Sequence, residues 1–364
     1  MDGLVVKHIL CFLVSFCGSY ALIPLFLKKA VEIGFLDRPD GVIKNHQKPI
    51  PYMGGIAVYA GFISALIFVL PYSSMPWWLL LGTATLMLVG LIDDVKILRP
   101  GRKLLGQCIA VTCFLHGGLL LKTHYLSSYF TLALSIFWML LVINAFNLID
   151  IMDGLSSLVA LISGSAFFTL ALLFGQYQVS LLMLAFIGPL FAFFLYNKPP
   201  ARIYLGDAGA LFIGGFLAAV PLLIPWGSSA PYAYCASIVI LAIPLLEVFF
   251  LVLIRTRLGI PFYLGSPHHF ALYLQRKGWS KQVILVFIGV VGIVLSSVAI
   301  VFACNYITMK LFIILGLLFF VAWSVIIFSS LFTKCLDKEE KKTTMTPPMN
   351  YKNNHEPLVA KGKR

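Results

Sequence analysis

Asn144-Ala145-Phe146-Asn147-Leu148-Ile149-Asp150-Ile151-Met152-Asp153-Gly154-Leu155 is the stretch around which this chain is organised. It follows Tyr129 to Ile143, a run with almost no polar side chain, and sets Asn144, Asn147, Asp150 and Asp153 at intervals of three before Gly154. On a continuous helix each three-residue step falls about 60° short of a full turn, so the four side chains form a slanting polar stripe. Two amides and two carboxylates at the end of an apolar helix are costly to bury unless something cationic or hydrogen-bonding meets them. A metal, a phosphate-bound metal or a sugar would do so. An ordinary Asn/Asp-rich helix end closed by a C-cap glycine is the competing explanation.

The rest of the chain decides what kind of protein carries this stretch. Its 364 residues are 60% hydrophobic and 11% charged, whereas soluble domains run near about 45–50% apolar and 25% charged. A soluble domain is excluded, and the fold class is an all-α polytopic membrane protein. Counting apolar runs of about 17–25 residues as spans gives eleven: 5–27, 52–71, 76–92, 104–121, 129–147, 158–174, 179–196, 208–226, 231–253, 282–303 and 309–331. The first has no convincing small-residue cleavage site and is read as a retained helix. Residues 1–336 then form the membrane domain, and the Lys/Glu/Thr/Pro-rich stretch 337–364 reads as a disordered cytoplasmic tail.

Charge sets the orientation. With the N-terminus outside, the cytoplasmic segments and tail hold 24 of the 27 Lys and Arg, and only Lys7, Lys122 and Lys310 fall on the other side. The formal charge of +13 is therefore mostly topology, and no nucleic-acid partner is expected. Cys11, Cys17, Cys108, Cys113, Cys235, Cys304 and Cys335 contain no CxxC pair, so neither disulfides nor zinc is inferred.

Acidic residues are scarcer and more informative. Outside the termini and the first loop only Asp93, Asp94, Asp150, Asp153, Asp207 and Glu247 remain, and five of these sit at cytoplasmic ends of different spans. A transporter would place carboxylates near the bilayer midplane beside broken helices. Here only Glu247 lies inside a span, and the grouping at one face suits a divalent-cation site open to a cytosolic substrate. Asp93 and Asp94 point about 100° apart on a helix and so take different jobs. Together with Lys103 they supply the group types that phosphoryl transfer uses: carboxylates for a metal or a nucleophile, and a fixed cation for phosphate oxygens. Gly206 and Gly209 flank Asp207 at the start of a span, where backbone N–H groups favour anions, although an N-cap Asp would look similar. In the first loop, Pro49 and Pro51 hold the chain extended and Gly54-Gly55 allow close backbone approach. Arg255, Arg257 and Pro267-His268-His269 lie in the basic loop after the ninth span, where a His pair can meet phosphate or simply cap a helix.

Five elements in this order resemble the polyprenyl-phosphate N-acetylhexosamine-1-phosphate transferase superfamily, glycosyltransferase family 4. They are His46 with Pro51-Tyr52-Met53-Gly54-Gly55, Ile92-Asp93-Asp94, the Asn144–Leu155 stretch, Leu205-Gly206-Asp207-Ala208-Gly209-Ala210, and Pro267-His268-His269. The resemblance covers Asp37 to Trp279 and is nearer the bacterial undecaprenyl-phosphate GlcNAc-1-phosphate transferases than the phospho-MurNAc-pentapeptide transferases.

The resemblance implies a Mg²⁺-dependent phosphotransferase, with Mn²⁺ as a substitute. It would move GlcNAc 1-phosphate, or another N-acetylhexosamine 1-phosphate, from a UDP-sugar to undecaprenyl phosphate and release UMP. The active site would lie on the cytoplasmic face of the plasma membrane, in the first membrane step of an envelope polysaccharide, with a second copy in a homodimer as a further expected partner. It further implies Asp207 and Asn147 as metal ligands, Asp93 as base or nucleophile-positioning acid with Asp94 beside it, and His268 and His269 at phosphate. His46, Lys48, Lys103, Asn144, Asp150, Asp153, Glu247 and Arg255 would contact substrate. Pro267 stands where the family has a further His, Ile151 replaces the usual Gly, and the segment from His269 to Trp279 is longer than typical. A phospho-MurNAc-pentapeptide transferase and, from another class, a cation-coupled transporter are the competing functions.

Overall fold

The computed structural model describes residues 2–37, 49–121, 126–226 and 232–331. His46, Lys48 and the stretch 337–364 lie outside the described residues. The chain divides at Phe312 into two units. Of the second, the described part is a single helical stretch, in which the rings of Phe319 and Trp323 lie 5.7 Å apart.

The described residues are almost entirely helical: α1 (Asp2–Ile33), α2 (Gly54–Val69), α3 (Trp77–Val95), α4 (Pro100–His116), α5 (Ser128–Ile149), α6 (Leu155–Leu173), α7 (Tyr177–Asn197), α8 (Gly206–Leu223), α9 (Ala236–Ile240), α10 (Ala242–Arg257), α11 (Phe270–Arg276), α12 (Lys281–Ala303) and α13 (Met309–Leu331). Eight helices among the described residues are long and apolar enough to cross a membrane, and nine if the bent pair α9 and α10 counts as one span. This is a multi-pass membrane protein. Each of the eleven expected runs falls on helix, but α2 has only 16 residues, and the 17-residue α4 carries Arg102, Lys103, Gln107 and His116. The ninth run is broken at Leu241 by a 65° bend.

Helix α8 is the axis of the first unit. Fifteen of its eighteen residues are buried, as expected of a helix apolar all round. It packs against α3, α5, α2 and α6. Small residues let these backbones close up, since membrane helices associate through van der Waals contact more than through the hydrophobic effect. A Cβ on Gly55 would sit 2.3 Å from the Gly209 nitrogen, and one on Gly214 would sit 2.8 Å from Ile143 Cα. Phe186 and Phe216 stack at 4.4 Å, with Phe62 edge-on to Phe216 at 5.2 Å, and these rings fill the space beside α8.

Two backbone clips fix the N-terminal end of α8. Leu36–Asp37 pairs antiparallel with Ile50–Pro51, which bears out the extended reading of Pro51. From there Tyr204 N–H donates to Pro51 O, while Gly54 and Gly55 N–H donate to the carbonyls of Tyr204 and Leu205 at 2.8–3.0 Å. The chain entering α2 is thereby stapled to the chain entering α8.

The polar stripe expected on one helix is divided. Helix α5 stops at Ile149 with Asp150 as its C-cap, and residues 151–154 turn before α6. Gly154, with φ +76°, is the N-cap of α6 and not the end of α5. Its left-handed backbone suits glycine, and it explains why Asp153 faces different neighbours from Asn144 and Asn147. Asp207 is likewise not an N-cap: that position belongs to Leu205, and Asp207 sits in the first turn of α8.

Gly90 of α3 faces this same turn, where an added Cβ would lie 2.4 Å from Asp207 backbone atoms and from the Ala208 nitrogen. Gly90→Ala should therefore destabilise the protein by about 1–3 kcal/mol, whereas Gly101→Ala, which meets nothing within 4 Å, should be neutral or slightly stabilising. Thermal unfolding of the two variants in detergent checks this, and equal midpoints would refute the close packing of α3 on α8.

Candidate active site

Lys103 stands in the first turn of α4, which opens at Pro100, a residue pre-set for the first helical position. Its side chain is mostly buried, and its ammonium lies 2.9 Å from Asp93 Oδ2, 3.0 Å from Asn147 Oδ1 and 3.1 Å from Asp207 Oδ2. Asn147 Nδ2 donates to Asp207 Oδ1 at 2.5 Å. Oxygens from α3, α5 and α8 thus converge on one point. Burial pulls the Lys103 pKa down, but the charges of Asp207 and Asp93 outweigh it and hold the ammonium above its ordinary range.

Asp93 and Asp94 divide the work as their 100° separation requires. Asp93 faces Lys103 with Oδ2 and accepts from Leu98 N–H at 2.6 Å with Oδ1. Asp94 turns to α8, where Oδ1 accepts from Asp207 N–H at 2.8 Å and Oδ2 from Ala208 N–H at 3.1 Å. It caps that helix from outside and fixes the backbone that carries Asp207. Gly206, at φ +73°, must be a glycine here, since its Cβ would lie 2.7 Å from Asp94 Oδ2.

The remaining members of the stretch have separate partners. One turn beyond Lys103 and Asn147, Gln107 and Asn144 exchange amide hydrogen bonds of 3.2 and 2.8 Å. Asn144 also donates to Leu140 O, so its amide braces α4 on α5. Asp150 is partly buried beside the cluster. Burial, then the charges of Asp207, Asp94 and Asp153, push its carboxyl up to about 8. Asp153 is buried, with Oδ2 accepting from Lys281 Nζ at 2.9 Å and from Ala201 N–H at 3.3 Å.

A second buried network lies where α10 meets the loop after it. Glu247 Oε1 meets His269 Nδ1 at 2.8 Å. Arg255 donates from Nε to Ser266 Oγ at 2.8 Å and from Nη1 to Phe262 O at 2.7 Å. His268 is partly buried at its edge.

Asp93, Lys103, Asn147 and Asp207 are therefore brought into direct contact, with Asp94 behind them and Asp150 in their field. Gln107 and Lys281 belong to the surroundings of the site and were not singled out from sequence. Gln107 had a readable signal, an amide four residues after Lys103 on the same helix face. Lys281, a cation at a helix start 128 residues from Asp153, had none.

Comparison with known proteins agrees with this geometry. The profile of glycosyl transferase family 4 matches residues 76–224, which carry every residue of the Lys103 cluster. A probable undecaprenyl-phosphate N-acetylglucosaminyl 1-phosphate transferase of Bacillus subtilis (strain 168) is 28% identical over 329 residues, covering 88% of this chain and 92% of that protein. A phospho-N-acetylmuramoyl-pentapeptide-transferase of Listeria welshimeri is 31% identical over 323 residues, covering 80% of this chain and 97% of that protein. One of the same name from Bacillus cytotoxicus is 32% identical over 248 residues, 61% of this chain and 76% of its own length. Near-complete coverage at this identity, on top of the matched profile, shows that the chain belongs to glycosyl transferase family 4, the superfamily that its five motifs resemble.

Proposed function

We propose that the protein transfers N-acetylhexosamine 1-phosphate, with GlcNAc as the sugar, from a UDP-sugar to undecaprenyl phosphate on the cytoplasmic side of the plasma membrane. The eleven runs would all be spans, with the N-terminus outside. The observation that carries this reading is the convergence of Asp93, Asn147 and Asp207 on the Lys103 ammonium. Coverage of 88% of this chain by the B. subtilis relative supports GlcNAc. The 31% identity over 97% of the Listeria protein keeps the phospho-MurNAc-pentapeptide reading as the second one.

The reaction is a displacement at phosphorus. An oxygen of the lipid phosphate forms a bond to the sugar-bearing phosphorus of the donor, the bond from that phosphorus to the uridylyl phosphate oxygen breaks, and UMP leaves. The attacking oxygen is already ionised, so the protein's task is to orient two anions and offset their repulsion. Lys103 would supply a positive charge for phosphate oxygens once a bound ion takes its place on the three oxygens it holds here. Asp93, held on both oxygens, orients the nucleophile, and Asp94 keeps Asp207 in place.

Among the described residues no group of three His, Cys, Asp or Glu is arranged around a metal. The converging set is two carboxylates and one amide oxygen, all within 3.1 Å of a single point. This oxygen set fits Mg²⁺, and also Mn²⁺, because hard divalent cations bind through one or two carboxylates and leave positions for substrate phosphate. Asp207, Asn147 and Asp93 would hold the ion, and it would supply charge neutralisation on the pyrophosphate.

The lipid tail needs an apolar path. A groove of about 830 Å³ runs between α5, α8 and α10, lined by Trp138, Leu141, Pro221, Trp226, Val248 and Phe249 among others. Nearly all of its lining is hydrocarbon, which suits a polyprenyl chain.

Purified protein with Mg²⁺, UDP-GlcNAc and undecaprenyl phosphate should release UMP, and Asp207→Asn or Lys103→Met should lower kcat by about 10²–10³-fold. A panel that also contains UDP-GalNAc and UDP-MurNAc-pentapeptide identifies the donor, and no turnover with any of them would refute the assignment. Because Lys103 and a divalent cation compete for the same three oxygens, Lys103→Met should bind the ion more tightly even as turnover falls. The Mg²⁺ concentration for half-maximal thermal stabilisation should drop about tenfold or more, and an unchanged or higher midpoint would show that the ion binds elsewhere.

Asp150 gives a pH test. Its carboxyl titrates near 8 in the folded chain against about 3.9 when unfolded, so the fold disfavours the ionised form. The associated stability is complete below about pH 4 and is lost as pH rises towards 8. Asp150→Asn removes that loss. In EDTA its unfolding midpoint should exceed the wild-type value by more at pH 8 than at pH 5, and an equal difference at both pH values would count against the shift.

A further inference from the structure

Helix α10 does two things at once. One side of it lines the apolar groove through Leu245, Val248, Phe249, Val252 and Leu253. Glu247 and Arg255, both 2% exposed, hold the loop that returns from its C-terminus. They are eight residues apart, about 12 Å along the helix, and they grip the loop at different places. Arg255 fastens Phe262 and Ser266. Glu247 reaches past them to the side chain of His269, with the Phe270 N–H a more distant second contact at 3.5 Å.

A buried carboxylate in a membrane helix is expensive unless it is paired. Tethering the loop does not explain it, because Arg255 already does so with two hydrogen bonds. What Glu247 adds is the orientation of one imidazole. An ionised carboxylate only accepts, so Nδ1 of His269 carries a proton and Nε2 is the nitrogen left for other partners. Among the described residues Nε2 has no hydrogen-bond partner, and it is not among the buried polar atoms that lack one, so it keeps access to solvent. A histidine buried to 5% exposure, braced from behind at one nitrogen and open at the other, is built to present that second nitrogen.

We propose that Glu247 is a positioning residue that acts through His269, fixing its tautomer and aiming Nε2 at the anionic phosphates of the substrates. His269, not His268, is then the working member of the pair. The inference rests on the transferase reading above. When Nε2 also carries a proton, the imidazolium and Glu247 together are neutral, so the positive edge can face phosphate without leaving an uncompensated charge inside the protein. Because α10 also lines the groove, the same helix links the path of the lipid tail to the nitrogen that meets phosphate.

A double-mutant cycle tests this by UMP release in detergent, with thermal unfolding run alongside. Glu247→Gln should lower kcat about 10–100-fold while changing the unfolding midpoint little. In a His269→Ala background the same substitution should cost less than twofold more, whereas its loss should multiply with that of His268→Ala. Histidine-selective ¹⁵N NMR, with His269 assigned by its disappearance in His269→Gln, should show the Nδ1-protonated tautomer. An active wild type whose Glu247 and His269 losses multiply, or whose His269 is protonated on Nε2 alone, overturns this inference and leaves the transferase reading standing. A wild type that turns over no UDP-sugar overturns both.

Discussion

One ammonium group, that of Lys103, meets oxygens delivered by three helices, and the arrangement of α3, α4, α5 and α8 can be understood from that meeting. Carboxylates of α3 and α8 would repel each other across a poorly solvated gap. A lysine between them turns that repulsion into a bond among four helices. For the mostly buried Lys103–Asp93 pair, removing one partner costs about 3–5 kcal/mol, because the charge left behind is uncompensated, whereas Asp207, 35% exposed, is screened by solvent and contributes less. The stability of the cluster therefore depends on the cation it holds.

The geometry is possible only because backbones approach closely at the start of α8. Gly55 and Gly90 admit that helix from two sides, and Gly206 adopts the left-handed turn that lets Asp94 reach two consecutive N–H groups. Asp94 satisfies donors that a helix start would otherwise leave unpaired inside the protein. Asp207 is left free to point its side chain at Asn147 and Lys103. The adjacent Asp93 and Asp94 therefore have different partners, Asp94 holding the start of α8 and Asp93 facing the Lys103 ammonium.

Much of this is legible in the sequence, and each departure has a physical cause. Each apolar run falls on helix among the described residues, eight or nine of them long and apolar enough to cross a membrane, and the 100° rule separates Asp93 from Asp94. Hydropathy, however, trims a helix at its first charged residue. Lys103 and Asp207 looked like loop residues before spans, yet both lie within the first turn of their helices, because this site is built on helix ends. The spacing of Asn144 to Asp153 predicts one polar stripe on a continuous helix. The left-handed Gly154 and the turn before it send Asp153 to Lys281 instead. Partners such as Lys103 with Asn147, or Glu247 with His269, are 44 and 22 residues apart, on elements whose packing no local pattern encodes.

The positions of the ionisable groups also separate an enzyme from a transporter on physical grounds. Alternating access needs charged residues near the midplane that reach water from each side in turn. Among the described residues, the broken pair α9 and α10 with a buried Glu247 resembles such a device. Yet Glu247 is committed to His269, a residue of the loop, and not to a second carboxylate or an unwound carbonyl. The other groups occupy the C-terminal ends of α3 and α5 and the N-terminal ends of α4 and α8. The contacts of Lys103 with Asp93, Asn147 and Asp207 bring these four ends together. Charge gathered there suits the proposed transferase, in which a phosphate would be held against a lipid headgroup. Between α5, α8 and α10 runs an apolar groove, which in the transferase reading suits a chain that stays in the membrane while its headgroup reacts.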